Sequence, residues 1–278
     1  MMMRQGIFIA SFVIVTGAAS AQYTESIISG RPGQAIASQT PGKNVFQLET
    51  GFDHSGANWE GIGIVGEPTG FNKRALLNAT LLRFGLLNRL EVHSGWEFRQ
   101  DNWATDEGGS RFASGMSFSS FGIRHNLIEG GGKKPSLAYQ VSAKLNILAD
   151  EYNAESILPH FMLTSGMSLT DNLGITLNSG MDFGDQDAYA WLYIVNFGYS
   201  LSDKLFTFAE LYGGVDVSAD AAGDQFNPYF DGGFGYFVNN DLQLDVLGGY
   251  AVNNDVEEYF VSVGLSWRLN HPKEMPAQ

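Results

Sequence analysis

Glu258-Tyr259-Phe260-Val261-Ser262-Val263-Gly264-Leu265-Ser266-Trp267-Arg268-Leu269 alternates with period two over its whole length. One parity carries Tyr259, Val261, Val263, Leu265, Trp267 and Leu269; the other carries Glu258, Phe260, Ser262, Gly264, Ser266 and Arg268. In an extended strand successive side chains point to opposite faces, so this segment presents one face fit for hydrocarbon and one fit for water. Its length is close to the roughly 9–11 residues of a tilted membrane-spanning strand.

The same rule repeats backwards along the chain. Leu242, Leu244, Val246 and Tyr250 oppose Gln243, Asp245, Gly249 and Ala251. Between Tyr189 and Leu201 the apolar face is Tyr189, Trp191, Tyr193, Val195, Phe197, Tyr199 and Leu201, with aromatic rings toward both ends, as in the interfacial girdles of outer-membrane barrels. The pattern predicts strands over 45–53, 75–87, 90–101, 111–127, 136–148, 157–169, 173–183, 189–201, 205–217, 229–238, 242–252 and 258–269, about twelve. That even number suits a single-chain barrel with both termini on one side. Short turns at Asn88-Arg89, Thr170-Asp171-Asn172, Ser202-Asp203-Lys204 and Asn239-Asn240-Asp241 alternate with longer polar loops, with 129–135 the long exception among the short turns. The fold expected is an all-β, transmembrane, antiparallel up-and-down barrel. A soluble β-sandwich is disfavoured because Tyr259, Val263, Leu265 and Trp267 would lie on its water-facing side.

Composition agrees. The 278 residues hold 34 glycines, 13% aromatic residues and no cysteine, with 16 Lys+Arg against 30 Asp+Glu for a formal charge of −14. So acidic a chain repels phosphate backbones, which argues against nucleic acid as a partner. Without cysteine there is no disulfide frame, thiolate metal site or cysteine nucleophile. Mean hydropathy of −0.09 and the lack of any run near 18 apolar residues exclude membrane-spanning helices.

Met1-Met2-Met3-Arg4-Gln5, the apolar run Ile7 to Val15 and Ala19-Ser20-Ala21 before Gln22 have the layout of a cleavable secretory signal peptide over 1–21. Residues 22–43 are polar and aperiodic, and read as an N-terminal extension in the periplasm or, alternatively, tucked into the lumen. The barrel proper is expected over 44–270 and a tail over 271–278. Together these place the protein in a bacterial outer membrane, reached by export.

Several stretches resemble one family. Arg31-Pro32-Gly33-Gln34, Thr40-Pro41-Gly42-Lys43-Asn44-Val45-Phe46-Gln47-Leu48-Glu49-Thr50-Gly51-Phe52 and Leu81-Leu82-Arg83-Phe84-Gly85-Leu86 followed by Asn88-Arg89-Leu90-Glu91 are similar to the phenol meta-pathway degradation family, also labelled transporters. So are Tyr199-Ser200-Leu201-Ser202-Asp203-Lys204-Leu205, Phe208-Ala209-Glu210-Leu211-Tyr212-Gly213, Asp231-Gly232-Gly233, Leu242-Gln243-Leu244-Asp245 and Gly264-Leu265-Ser266-Trp267-Arg268. The resemblance covers nearly all of the exported chain. It implies an outer-membrane barrel, and its name suggests passage of aromatic or other small hydrophobic compounds.

Arg or Lys facing lipid at the bilayer midplane costs about 2–4 kcal/mol, so the parity that gathers the charges is the inner one. The expected lumen-lining residues are Glu49, Arg83, Glu91, His93, Glu97, Arg99, Arg124, Lys144, His160, Asp182, Glu210, Asp231, Asp245 and Arg268, with Gln47, Asp53, Asn126, Gln140, Asn146, Asn178, Asn196 and Asp216 beside them. They read either as a charged permeation path, with Arg83, Arg99, Arg124 and Lys144 facing carboxylates, or as ion pairs that fill the barrel. The loops opposite the short turns carry Asp106, Glu107, Asp150, Glu151, Glu155, Asp185, Asp187, Asp220, Asp224 and Asp255 without Lys or Arg, a mouth that would favour cations or bridge them to lipopolysaccharide. The glycine-bearing stretch 55–73 is the loop expected to fold into that mouth.

The reading is thus a monomeric outer-membrane channel for passive passage of small solutes, in contact with membrane lipid and lipopolysaccharide and needing no cofactor. Five scattered histidines, without a zinc-protease or serine-hydrolase motif, point to neither a metal centre nor catalysis. The alternatives are a non-transporting structural or adhesive barrel and, more remotely, a barrel lipid hydrolase using His125 and Asn126 near Ser119.

Overall fold

The computed structural model describes residues 25–62, 68–105, 108–186, 188–218, 226–252 and 257–270. Twelve antiparallel strands close into one barrel in which every strand pairs with its neighbours in sequence and β1 pairs with β12. They are β1 (Phe46–Ile62), β2 (Pro68–Leu87), β3 (Leu90–Thr105), β4 (Ser110–Ile128), β5 (Leu137–Lys144), β6 (Leu158–Ser168), β7 (Leu173–Phe183), β8 (Tyr189–Ser200), β9 (Leu205–Asp216), β10 (Phe226–Asn239), β11 (Leu242–Ala251) and β12 (Glu257–Arg268). Closure leaves no free sheet edge, which is the condition for strands to cross a hydrocarbon layer. The signal-peptide reading over 1–21 and the tail over 271–278 lie outside the described residues.

The two faces separate as the alternation requires. Tyr259, Val261, Val263 and Trp267 of β12, Leu244 and Val246 of β11 and Trp191 and Phe197 of β8 are all exposed on the outside. The buried set is polar: Gln47, Glu49, Arg83, Glu91, Asn126, Glu210, Asp231, Gln243 and Ser266 are among the least accessible side chains. This inversion of the usual order of burial is what a barrel in lipid shows, with its outer wall solvated by acyl chains.

Three departures from the expected pattern have physical causes. The stretch 55–73 is no mouth loop: 55–62 and 68–73 continue β1 and β2 as one long hairpin, paired out to Ile62 and Pro68. Its sequence, Ser55-Gly56-Ala57-Asn58-Trp59-Glu60-Gly61-Ile62 and Pro68-Thr69-Gly70-Phe71-Asn72-Lys73, has no apolar parity to betray it. Conversely β5 stops at Lys144, where a strand to 148 was expected. Residues 145–157 turn against β4, with Leu145 N donating to Ser119 O at 2.8 Å and Ala149 N to Met116 O at 3.0 Å, and include a short 3-10 turn at Asp150–Tyr152. In β4 a bulge between the pairs Glu97/Phe118 and Phe98/Met116 leaves Ser117 over and reverses the parity, so Ser120 and Phe118 face inward below it and Ala113 and Gly115 above it.

Candidate functional site: the occupied lumen

Residues 25–43 lie inside the barrel, the second of the two placements the sequence left open. The segment enters at the short-turn end, where Ile27 N donates to Asn240 O at 2.8 Å and Arg268 Nη2 to Glu25 O at 2.9 Å. It climbs along β12 and β11, crosses to β9 and β7, and returns past β4 to leave at the same end, with Thr40 Oγ1 donating to Asn88 O at 2.7 Å and Asn44 N to Gly85 O at 2.7 Å. Irregular backbone at this depth has unpaired amides and carbonyls, and the wall satisfies them. Gln47 Nε2 donates to Ile28 O (2.9 Å), Gln243 Nε2 to Arg31 O (2.7 Å) and Asn126 Nδ2 to Ser38 O (3.0 Å). Asn178 receives Ile36 N–H at 2.8 Å and returns a bond to Ile36 O at 3.0 Å, imitating a strand partner. The Glu210 carboxylate receives the N–H groups of Gln34 and Ala35 and the Asn196 amide.

Two arginines fix the segment by opposite routes. Arg31 belongs to the segment and reaches the wall: its Nη2 donates to Asp245 Oδ1 at 2.9 Å and to Ser262 Oγ at 2.9 Å. Its guanidinium lies over Gly51 and Gly264, directly paired residues of β1 and β12, where a Cβ would come within 2.4 Å and 2.3 Å of it. Arg83 belongs to the wall and reaches the segment. Its five N–H groups go to both oxygens of Glu91 (3.0 and 2.7 Å), to Glu49 Oε1 (3.0 Å), to Ile28 O (3.2 Å) and to Gln39 O (3.0 Å). Arg124 adds Gln140 Oε1 at 2.8 Å and Ala37 O at 3.3 Å, with Glu91 Oε1 at 3.8 Å.

Above the segment the remaining charges form separate groups. Lys144 Nζ and His160 Nδ1 share Asp182, at 2.9 and 3.1 Å. Glu97 accepts the Ser117 hydroxyl. Arg99 pairs with Asp101 on its own strand at 2.9 Å, not across the barrel, and Lys73 approaches the same carboxylate at 3.5 Å. Tyr152, from the inward-turned loop 145–157, donates to Asp101 Oδ2 at 2.9 Å; burial and that carboxylate push its phenol up to about 12. This loop enters the mouth in place of the stretch expected to do so, and Asn146 lies in it, off the strand. Asp231 is the direct partner of Glu210 across β9 and β10, and Arg268 sits at the turn end against Asp241.

The segment stands between two cavities. One of about 830 Å³ opens toward the turn end beside Phe206, Phe208 and Phe237. The other, about 490 Å³, lies on the loop side and is lined by Leu81, His93, Phe118, Lys144, His160 and Leu192 among others; Arg31 and Ala35 border both.

The acidic mouth is described only in part, since Asp106, Glu107, Asp187, Asp220, Asp224 and Asp255 lie outside the described residues. Asp185 bonds the neighbouring loop through Glu155 N and Ser156 Oγ, both at 2.8 Å, and these donors hold its carboxyl below the usual range. Among the described residues no three His, Asp or Glu gather into a metal-holding group. His125 is on the outer face, edge-on to Tyr139 at 5.6 Å, while Asn126 points inward to Ser38, so the two cannot join in one catalytic group.

Sequence reasoning missed what the wall holds. Ser262, Ser266 and Gln243 were read only as a polar face, and Arg31 only as part of a family likeness. The available signal was an aperiodic polar segment facing a wall rich in Asn, Gln and Ser, the residue types that pair irregular backbone.

A closed barrel with an apolar exterior, a charged interior and an inserted N-terminal segment is the architecture of an outer-membrane β-barrel. Residues 29–269 match the family model described as "Putative MetA-pathway of phenol degradation", and the chain belongs to that family. Among solved structures it is similar to an outer membrane channel from Pseudomonas putida F1, at 12% identity over 84% of this chain and 98% of that one, with a TM-score of 0.61. It is also similar to the translocator domain of the autotransporter NalP from Neisseria meningitidis (13% identity, 81% and 88% covered, TM-score 0.53) and to the NanC porin (8% identity, 78% and 100% covered, TM-score 0.51). At these identities the likeness establishes the fold. No curated protein matches the chain.

Proposed function

We propose that this protein is an outer-membrane channel for passive passage of small solutes, aromatic compounds among them, exported by a cleavable leader over 1–21 and acting as a monomer without a cofactor. The observation that carries the proposal is the interior: cavities of about 490 and 830 Å³, lined by polar and apolar side chains alike, on the two sides of the segment 25–43. A barrel serving only as a wall anchor has no need of chambers of this size, which match the usual range of small-molecule sites. The P. putida F1 neighbour is a channel by its title, and the family's description names phenol degradation; both support the reading.

In this reading the short turns and both termini face the periplasm, the loops face outward in contact with lipopolysaccharide, and Glu49, Arg83, Glu91, Arg124, Glu210 and Asp245 serve two ends. They line the lumen and hold the segment that narrows it. His93, Glu97, Lys144, His160 and Asp182 line the path above the segment, Arg99 its mouth, and Asp231 and Arg268 its periplasmic half. The bonds that secure the segment also favour the competing view of a filled, non-transporting barrel. The deciding measurement is single-channel conductance and ion selectivity of the refolded mature chain in planar bilayers. Stable steps establish a path; silence in both the wild type and a variant with the segment unlatched favours the structural barrel.

A further inference from the structure

On one wall of the mouth the charge changes sign. Three strands carry it in register: Lys73 of β2 and Arg111 of β4 flank Trp103 of β3, Ala75 and Ala113 flank Asp101, and Leu77 and Gly115 flank Arg99. Arg99 and Lys73 converge on Asp101, at 2.9 and 3.5 Å, while Lys73 Nζ and Arg111 Cζ lie 5.2 and 5.3 Å from the centre of the Trp103 ring. Three cations thus stand around one carboxylate, and among the described residues no second acid pairs with any of them within 4.0 Å. The exposed acids of the inward loop, Asp150 and Glu151, join none of these pairs.

Asp101 anchors the group and is itself saturated. It is 1% exposed, and its oxygens accept Arg99 Nε, at 3.0 and 2.9 Å, and the Tyr152 hydroxyl at 2.9 Å. Arg99 is held there through Nε alone. Its Nη1 and Nη2 have no hydrogen-bond partner among the described residues, and neither is sealed from solvent. Two such terminal nitrogens form the planar fork that takes up a carboxylate through parallel hydrogen bonds. Lys73 is 30% exposed and Arg111 is exposed, so both charges are within reach of a solute. The cations deeper in the lumen are engaged by comparison, Arg31 with Asp245, Arg83 with Glu49 and Glu91, and Lys144 with Asp182. A neutral solute would leave the excess charge unanswered, and a cation would be repelled. The group faces the lumen, so phosphate groups of lipid around the outer wall do not reach it.

We propose that this wall is a binding site for small organic carboxylates, the carboxylate seated on the free fork of Arg99 with Lys73 and Arg111 supplying the excess positive charge. The inference rests on the channel reading and deepens it, placing an anion-binding step at the mouth of the path. Arg99 is then the residue that selects a carboxylate over a spherical anion.

The test is fluorine NMR titration of the full chain in nonionic detergent micelles at low salt, with trifluoroacetate as probe and trifluoroethanol as neutral control, each referenced to empty micelles. The variants are Arg99→Met, Arg111→Met and Arg74→Met. Arg74 is an exposed cation on the opposite parity of β2, so its loss changes the net charge equally without touching the site. Far-ultraviolet dichroism and heat-modified gel mobility confirm that each variant is folded. Expected is saturable binding of trifluoroacetate, displaced by acetate and not by the same concentration of chloride. Binding should weaken about tenfold in Arg99→Met, as loss of a charge-assisted hydrogen-bonding group implies, several-fold in Arg111→Met and hardly at all in Arg74→Met. Equal binding by Arg99→Met overturns the proposal, as does an equal loss in Arg74→Met, displacement by chloride, or trifluoroethanol binding as well as trifluoroacetate. Conductance of the same preparations is read in parallel: a silent barrel that still binds trifluoroacetate through Arg99 removes the channel and leaves the site, whereas a conducting barrel indifferent to Arg99 does the reverse.

Discussion

Arg31 and Asp245 are 214 positions apart in the chain and meet inside the barrel with Nη2 2.9 Å from Oδ1. Asp245 is inward on β11 and buried, and among the described residues Arg31 is the cation that faces it within 4.0 Å. Replacing Arg31 with Met therefore unlatches the segment and leaves a buried carboxylate without its partner. The chain has no cysteine, so Ala35→Cys, at a position that borders both cavities and bonds the wall only through its backbone, is a clean reporter. In the Ala35→Cys background, Arg31→Met is expected to speed maleimide labelling several-fold and to raise single-channel conductance. Unchanged labelling with unchanged conductance would show that the remaining backbone bonds suffice to hold the segment.

The slot beneath Arg31 can be filled without touching a charge. Gly51→Ala or Gly264→Ala places a methyl group within about 2.4 Å of the guanidinium, too close for both to remain. Each substitution should reproduce the labelling and conductance of Arg31→Met. Gly198→Ala is the control, because a Cβ there meets nothing within 4 Å. Equivalent behaviour of all three would mean that Arg31 shifts sideways at no cost.

Arg83 is a test of the interior's energetics. Its removal leaves Glu49 and Glu91 buried, 3% and 0% exposed, and takes five hydrogen bonds with it. Breaking a buried pair by deleting one partner costs about 3–5 kcal/mol. Arg83→Met should lower stability by about that much in reversible urea unfolding from lipid vesicles, and adding Glu49→Gln and Glu91→Gln should recover part of it. A loss below about 1 kcal/mol would indicate that water reaches the carboxylates.

The strand count, the inner parity and the short turns were legible because lipid on one side and water on the other write a period of two into every spanning segment. Tyr259 through Trp267 is enough to set the register of β12. Where the surroundings stop differing, the signal stops. The hairpin beyond Ser55 and Lys73 carried no alternation, while 145–148 kept an alternation that the fold does not use. The inserted segment was least legible, since Gln34, Ala35 and Ile36 are held through their backbone amides, which all sequences share. The partners were visible as charges, Glu210 and Asp245, but not what they grip.

Tyr152 decides whether the inward loop 145–157 is a fixed constriction. Its hydroxyl donates to Asp101 Oδ2 at 2.9 Å, and Asp101 is 1% exposed on the inner face of β3 opposite the small side chains of Ala75 and Ala113. Tyr152→Phe removes the anchor and keeps the ring, so open-channel noise and mean conductance should rise while unfolding stability changes little. The pH dependence has a definite sign. The folded phenol is pushed up to about 12 against an ordinary value near 10, so its contribution is complete below about pH 10 and is lost as the pH rises through about 12. An ordinary tyrosine would already be largely ionised at about pH 10.5, and an ionised phenolate beside Asp101 would be expelled. Wild-type noise should therefore match at pH about 7 and about 10.5, with the Tyr152→Phe noise higher at both. A rise in wild-type noise by pH about 10.5 that Tyr152→Phe does not show would mean that the hydroxyl titrates as a free one and that the loop is held elsewhere.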